Sequence, residues 1–118
     1  MPHYLFRARY TQQGIQGILE EGAASRVTAV EELVASVGGR VEAAYWAFGD
    51  DDYILIAELP GNGAAAALAS RVAASGVGGI STTVLLTAAD IDEARGLTVN
   101  YRAPGARLGV LRDEALGE

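Results

Sequence analysis

Arg7 and Arg9 are the residues of this 118-residue chain whose types and spacing most suggest chemistry. Side chains alternate across a strand, so the two guanidinium groups share a face with His3 and Leu5, opposite Tyr4, Phe6, Ala8 and Tyr10. A guanidinium offers a rigid fork of donors that fits a carboxylate or an enolate. Glu42 and Glu58 fall on the same face of the following strands and are the expected counterions, because a buried charge without a partner is strongly unfavourable. If the arginines instead hold a ligand, Trp46 and Phe48 stack on its apolar part, and Glu58 or Glu42, desolvated beside it, removes a proton. His3, the single histidine, is a second candidate base.

Other patterns carry less. Asp50, Asp51 and Asp52 offer the oxygen donors that a hard cation wants, but alternation sends neighbours in different directions, and a solvated hairpin accounts for them. Gly61 to Ala66 fits G-x-G-x-x-A, yet no acidic residue follows at the spacing a dinucleotide ribose needs, so the segment reads as a helix start. No serine sits in a G-x-S-x-G elbow. Cysteine is absent, which removes thiolate chemistry, iron–sulfur clusters and disulfides, and with one histidine no His-based metal triad exists within a chain. The expectation is therefore no metal and no cofactor.

Nine basic residues against fifteen acidic ones give a net charge of −6, a field that repels phosphate backbones and anionic lipids. Nucleic acid and membrane partners are not expected. All nine cations are arginine, so no lysine is available for a Schiff base. The start lacks a signal-peptide pattern and no apolar run is long enough to span a bilayer, which points to a cytoplasmic protein.

The elements that must position these residues follow from periodicity. Strands are expected over 3–10, 40–48, 52–59 and 80–86, with Gly49-Asp50-Asp51 as the hairpin turn. Thr11 caps a short helical turn that Gly22 interrupts. A helix over 24–37 then buries Val27, Val30, Leu33, Val34 and Val37, with Glu31 and Glu32 outside. An alanine-rich helix runs from 61–63 to about 75 with Ala65, Leu68, Ala69 and Val72 inward, and Thr87 to Asp90 forms a capping box for a last short helix ending near Gly96. This β-α-β-β-α-β order is a ferredoxin-like α+β fold: an antiparallel four-stranded sheet with both main helices on one face. The domain spans 1–96, and 97–118 is a tail lying on the surface or on a neighbouring subunit.

Matching strand faces places Val41, Ala43, Tyr45 and Ala47 under the helices with Tyr53, Leu55, Ala57 and Leu59. The open face receives Glu42, Ala44, Trp46 and Phe48 with Ile54, Ile56 and Glu58. That face is too apolar to stay wet, and a second copy is the economical cover.

Tyr4-Leu5-Phe6, Tyr10-Thr11-Gln12-Gln13-Gly14, Glu21-Gly22 with Arg26, Gly38-Gly39, Tyr45-Trp46-Ala47-Phe48-Gly49, Asp52, Ala64 to Ala67, Thr82-Thr83 and Leu85-Leu86-Thr87 together resemble the GYD family of small bacterial and archaeal proteins, over nearly the whole chain to about Gly105. Asp51 departs from the pattern, standing where the family often has tyrosine. The resemblance implies a dimeric α/β barrel, with sheet against sheet enclosing a cavity. It carries no settled biochemical function. Two uses are expected of such a homodimer or higher homo-oligomer. One is a binding or assembly module whose open face takes a small anionic or hydrophobic ligand. The other is a cofactor-independent isomerase, cyclase or monooxygenase acting on a small hydrophobic, enolisable substrate.

Overall fold

The computed structural model describes residues 1–105, and the chain divides into two compact units, Met1–Leu86 and a second beginning at Thr87. The first unit runs β1 (His3–Tyr10), α1 (Gln12–Glu21), α2 (Ala23–Ser36), β2 (Arg40–Trp46), β3 (Tyr53–Glu58), α3 (Asn62–Ala74) and β4 (Gly78–Leu85). The four strands form one antiparallel sheet in the order β2-β3-β1-β4. It is an open α+β sheet of the split β-α-β type.

One sheet face carries the core. Tyr4, Phe6 and Ala8 from β1 and Tyr53, Leu55 and Ala57 from β3 cluster with Leu59, with Val30 and Val34 of α2, and with Ala65 and Leu68 of α3. The alternation in β1 and β3 is therefore as the sequence implies, and it follows from the period of two. In α2, Leu33 and Val37 join the core edge while Glu31 and Glu32 are exposed; Val27 does not join, remaining 36% exposed one turn before the sheet is reached. Ala69 and Val72 of α3 are half-buried, and the small side chains let this helix lie close to the sheet.

The segment after β1 is a full ten-residue helix, longer than a capped turn. The Gly14 N–H donates to the Thr11 hydroxyl at 3.2 Å as its N-cap, and Gly22, at φ 92°, separates it from α2 because that backbone conformation disfavours side chains with a Cβ. At the other crossover, Gly61 to Asn62 begins α3, and the Tyr4 hydroxyl donates to Asn62 Oδ1 at 2.6 Å. The glycine-rich loop is a helix start tied to the core.

Two strand boundaries differ from expectation by two residues. β2 ends at Trp46 rather than Phe48, whose φ of 57° takes it out of the strand. β4 begins at Gly78 rather than Ile80, because glycines there permit close pairing: a Cβ on Gly78 would stand 2.3 Å from the Arg9 carbonyl oxygen.

In the second unit, Thr87 and Asp90 complete the capping box of α4 (Ala88–Arg95), as the sequence indicates. Ile91, Leu97, Val99 and Tyr101 are exposed. The rest of the tail, 106–118, lies outside the described residues. No helix among those described is long and apolar enough to cross a membrane.

The close approach at Gly78 and the free space around Gly17 in α1 make a paired test. Gly78→Ala should lower stability by about 1–3 kcal/mol through forced displacement of the Arg9 backbone. Gly17→Ala should raise it by about 0.5–1 kcal/mol through helix propensity. Urea midpoints at unchanged slope provide the measurement.

Candidate functional site

The placement of the expected site residues turns on β2. Val41 pairs with Ala57, but Ala43 pairs with Ile56, so Glu42 is an extra residue without a cross-strand partner. Such a bulge reverses the alternation beyond it. Ala44 and Trp46 therefore join the helix-side core, while Ala43 and Tyr45 turn to the open face, the reverse of the expectation for these four residues. Tyr45 is 70% exposed. Phe48, also exposed, stacks on Trp46 with centroids 6.2 Å apart and so belongs beside Trp46 and not on the open face.

The charges pair differently as well. Arg9 donates to the Asp50 carbonyl oxygen, and Arg7 Nε lies 3.8 Å from Asp51 Oδ2, so both expected ligand-holding arginines lean on the β2–β3 hairpin instead of on Glu42 and Glu58. The hairpin is anchored from its other side by Asp52. Its carboxylate accepts the Tyr10 N–H at 2.8 Å and its own N–H donates to the Ala8 carbonyl. Asp50 to Asp52 lie in the expected hairpin, with Asp50 exposed, and each also contacts β1: Asp50 through its carbonyl oxygen, Asp51 and Asp52 through their carboxylates. Arg7 and Arg9 are exposed, so these contacts fix geometry more than they add stability.

Glu42 and Glu58 gather at the opposite end of the open face. His3 Nδ1 lies 2.5 Å from Glu42 Oε2, and Arg40 pairs with Glu58. His3, Glu42 and Glu58 bring one donor atom each within 4.8 Å of one another, the one grouping of this kind found among the described residues. An imidazole nitrogen with two carboxylate oxygens suits a divalent cation such as Zn²⁺. As arranged, however, the imidazole nitrogen and the Glu42 oxygen stand too close for a cation to lie between them, and Arg40 pairs with Glu58. The geometry is that of two neighbouring pairs, His3 with Glu42 and Arg40 with Glu58.

Between these ends, Leu5, Ile54 and Ile56 are half-buried with Ala43 and Tyr45 alongside. This strip is the aliphatic centre of an otherwise charged surface.

The helix side holds a second constellation that the sequence reading missed. Trp46 packs on Tyr53 (centroids 4.6 Å) and Tyr10 (6.0 Å). A cavity of about 50 Å³ lies among Tyr10, Tyr53, Arg26, Leu33, Val72 and Ile80. A larger groove of about 490 Å³ shares Tyr10, Arg26 and Val77 as walls and is bordered by Gln13, Gln16, Glu20 and Glu21. Arg26 lines both spaces, and its charge acts on the Tyr10 and Tyr53 phenols. Tyr53 is 5% exposed, and its hydroxyl is the one buried side-chain polar atom among the described residues with no hydrogen-bond partner. An unmet buried donor of this type costs about 1–3 kcal/mol. The signal available in the sequence was Arg26 one helical turn before Val30, a cation at the margin of an otherwise apolar stripe.

Burial pushes the Tyr10 and Tyr53 phenols above their ordinary value near 10, against the opposing pull of Arg26; nearby Asp52 and Glu31 add to the rise at Tyr10 and Tyr53 respectively. The folded state thus holds these protons more tightly than the unfolded chain. Their stabilising contribution is complete below about pH 10 and is lost as pH rises through the folded values. In a spectrophotometric titration at high pH, these two phenols should ionise late and together with unfolding. Tyr53→Phe should move the alkaline unfolding midpoint upward.

The model of the GYD domain matches residues 4–94 of the chain. No curated protein and no solved structure matches it.

Proposed function

The chain belongs to the GYD-domain family, and from that premise we propose that it works as a self-associating binding subunit, the open sheet face of one copy covering the same face of another in a dimeric α/β barrel. The observation that carries this reading is the uncovered strip of Leu5, Ile54 and Ile56 beside Tyr45, on the side of the sheet that none of the core helices occupies. An aliphatic centre with an aromatic beside it and arginines toward its margin has the make-up of a protein interface. A two-fold arrangement lets one patch meet its own copy. The space enclosed between the two sheets would be bordered by the His3–Glu42–Glu58 group at one end and by Arg7 and Arg9 at the other, a setting for a small anionic or hydrophobic ligand.

A second reading has one specific observation in its favour. The 2.5 Å contact between His3 and Glu42 fixes the imidazole through Nδ1 and leaves Nε2 as a base. On this reading the protein is a cofactor-independent isomerase, cyclase or monooxygenase acting on a small hydrophobic, enolisable substrate, with Glu58 as the further carboxylate. The engagement of Arg7 and Arg9 with the hairpin gives it no arginine fork for an enolate.

Light scattering on the purified chain at micromolar concentration should return twice the monomer mass, and Ile56→Glu should return the monomer mass with an unchanged far-ultraviolet spectrum. A wild-type monomer would rule the interface out. The proton-transfer reading is checked apart from it: deuterium from solvent should exchange into a phenyl-substituted β-diketone faster with the wild type than with His3→Gln, the mass of the assembly being the same for both. Equal rates exclude His3 as the base.

A further inference from the structure

We propose that the helix-side cavity is a binding site for a small monocarboxylate, held by the Tyr53 hydroxyl, Arg26 and Tyr10. This site lies on the opposite side of the sheet from the proposed interface and is built by a single chain, so it stands or falls independently of self-association.

Three groups that favour an anion converge there. The Tyr53 hydroxyl is buried and has no acceptor among the described residues. Arg26 lines the same cavity as both tyrosines, and its positive charge acts on both phenols. A guanidinium with two phenolic donors provides the charge and the directional bonds that a carboxylate group requires. Leu33, Val72 and Ile80 supply apolar walls around those groups.

Size and charge narrow the class. A volume of about 50 Å³ holds about three to five atoms at roughly one water-sized site per 10–15 Å³, enough for a carboxylate and its α-carbon. Any remainder of the ligand leaves past the shared wall of Tyr10, Arg26 and Val77 into the groove. Glu20 and Glu21 border that groove, and Glu31 and Asp52 are the other carboxylates whose charge reaches the phenols. Against one guanidinium, these repel a second negative charge on the ligand. Phosphate, sulfate and dicarboxylates are accordingly disfavoured.

The single tryptophan is a built-in reporter, since Trp46 packs directly on Tyr53 and Tyr10. Acetate, propionate and butyrate are titrated at constant ionic strength against the full chain, with binding read from Trp46 emission and independently from ligand-observed NMR. Saturable binding in the millimolar range is expected, with chloride, sulfate and phosphate failing to compete. Tyr53→Phe and Arg26→Gln should each weaken it about tenfold or more, the loss of a hydrogen bond to a charged group. In carboxylate-free buffer Tyr53→Phe should unfold at an equal or higher urea concentration than the wild type, because it removes an unpartnered hydroxyl, so weak binding by this variant cannot be put down to misfolding. Absence of carboxylate binding by both readouts, wild-type affinity in Tyr53→Phe, equal competition by chloride, or a crystal grown with acetate that shows only an ordered water on Tyr53 would each overturn the proposal.

Discussion

The extra residue in β2 is the constraint on which the arrangement of both sheet faces depends. A strand of period two that runs unbroken from Arg40 would carry Trp46 outward and Tyr45 inward. With Glu42 inserted opposite a single step of β3, the indole turns inward onto Tyr53 and Tyr10, and the phenol of Tyr45 turns out. The largest side chain in the sequence thereby changes from a surface group into part of the packing. The bulged residue also contributes directly, because the carboxylate that meets His3 is that of Glu42 itself. One local irregularity thus supplies the aromatic cluster on one side and the His3–Glu42 contact on the other.

The same constraint explains what the sequence made legible. Hydrophobic alternation located β1 and β3 and the faces they present, because each strand keeps an uninterrupted period across its length. Thr11, Gly22 and Thr87 marked helix boundaries through local chemistry that needs no tertiary information. The alternation in β2 was broken by a residue that looks like any exposed glutamate. Nothing in Arg40-Val41-Glu42-Ala43 announces a bulge, since small and β-branched neighbours suit either register. The placements of Ala43, Ala44, Tyr45 and Trp46, which extended the β2 alternation past Glu42, therefore inverted.

The charged residues show a related limit. Arg7 and Arg9 were readable as sharing a face, and they do, but their partners come from the Asp50–Asp52 hairpin, whose shape depends on the left-handed backbone at Phe48 and on the pairing of Asp52 with both Ala8 and Tyr10. Those contacts are nonlocal in sequence. The acceptorless hydroxyl of Tyr53 was invisible for the same reason, since a tyrosine at a core position gives no indication of whether its oxygen meets an acceptor. Burial, by contrast, was inferable for Tyr4, Phe6, Leu55 and Leu68, where apolar character alone decides.

The strand order β2-β3-β1-β4 also has a temporal side. The strand that comes first within the sheet's own chain order is an interior strand, and both of its neighbours, Tyr53–Glu58 and Gly78–Leu85, come much later in the chain. Until Leu85 has left the ribosome, the Tyr4 and Phe6 side chains have no complete surface to meet, and the backbone of β1 has at most one of its two ladders. Closing such distant contacts makes folding slower than a helical bundle of equal size. The α1–α2 pair and the β2–β3 hairpin are the units able to form while the chain is still emerging, and β1 must stay unpaired without aggregating in that interval. Arg7 and Arg9 place two like charges on this strand, a pattern that disfavours its pairing with a second copy of itself.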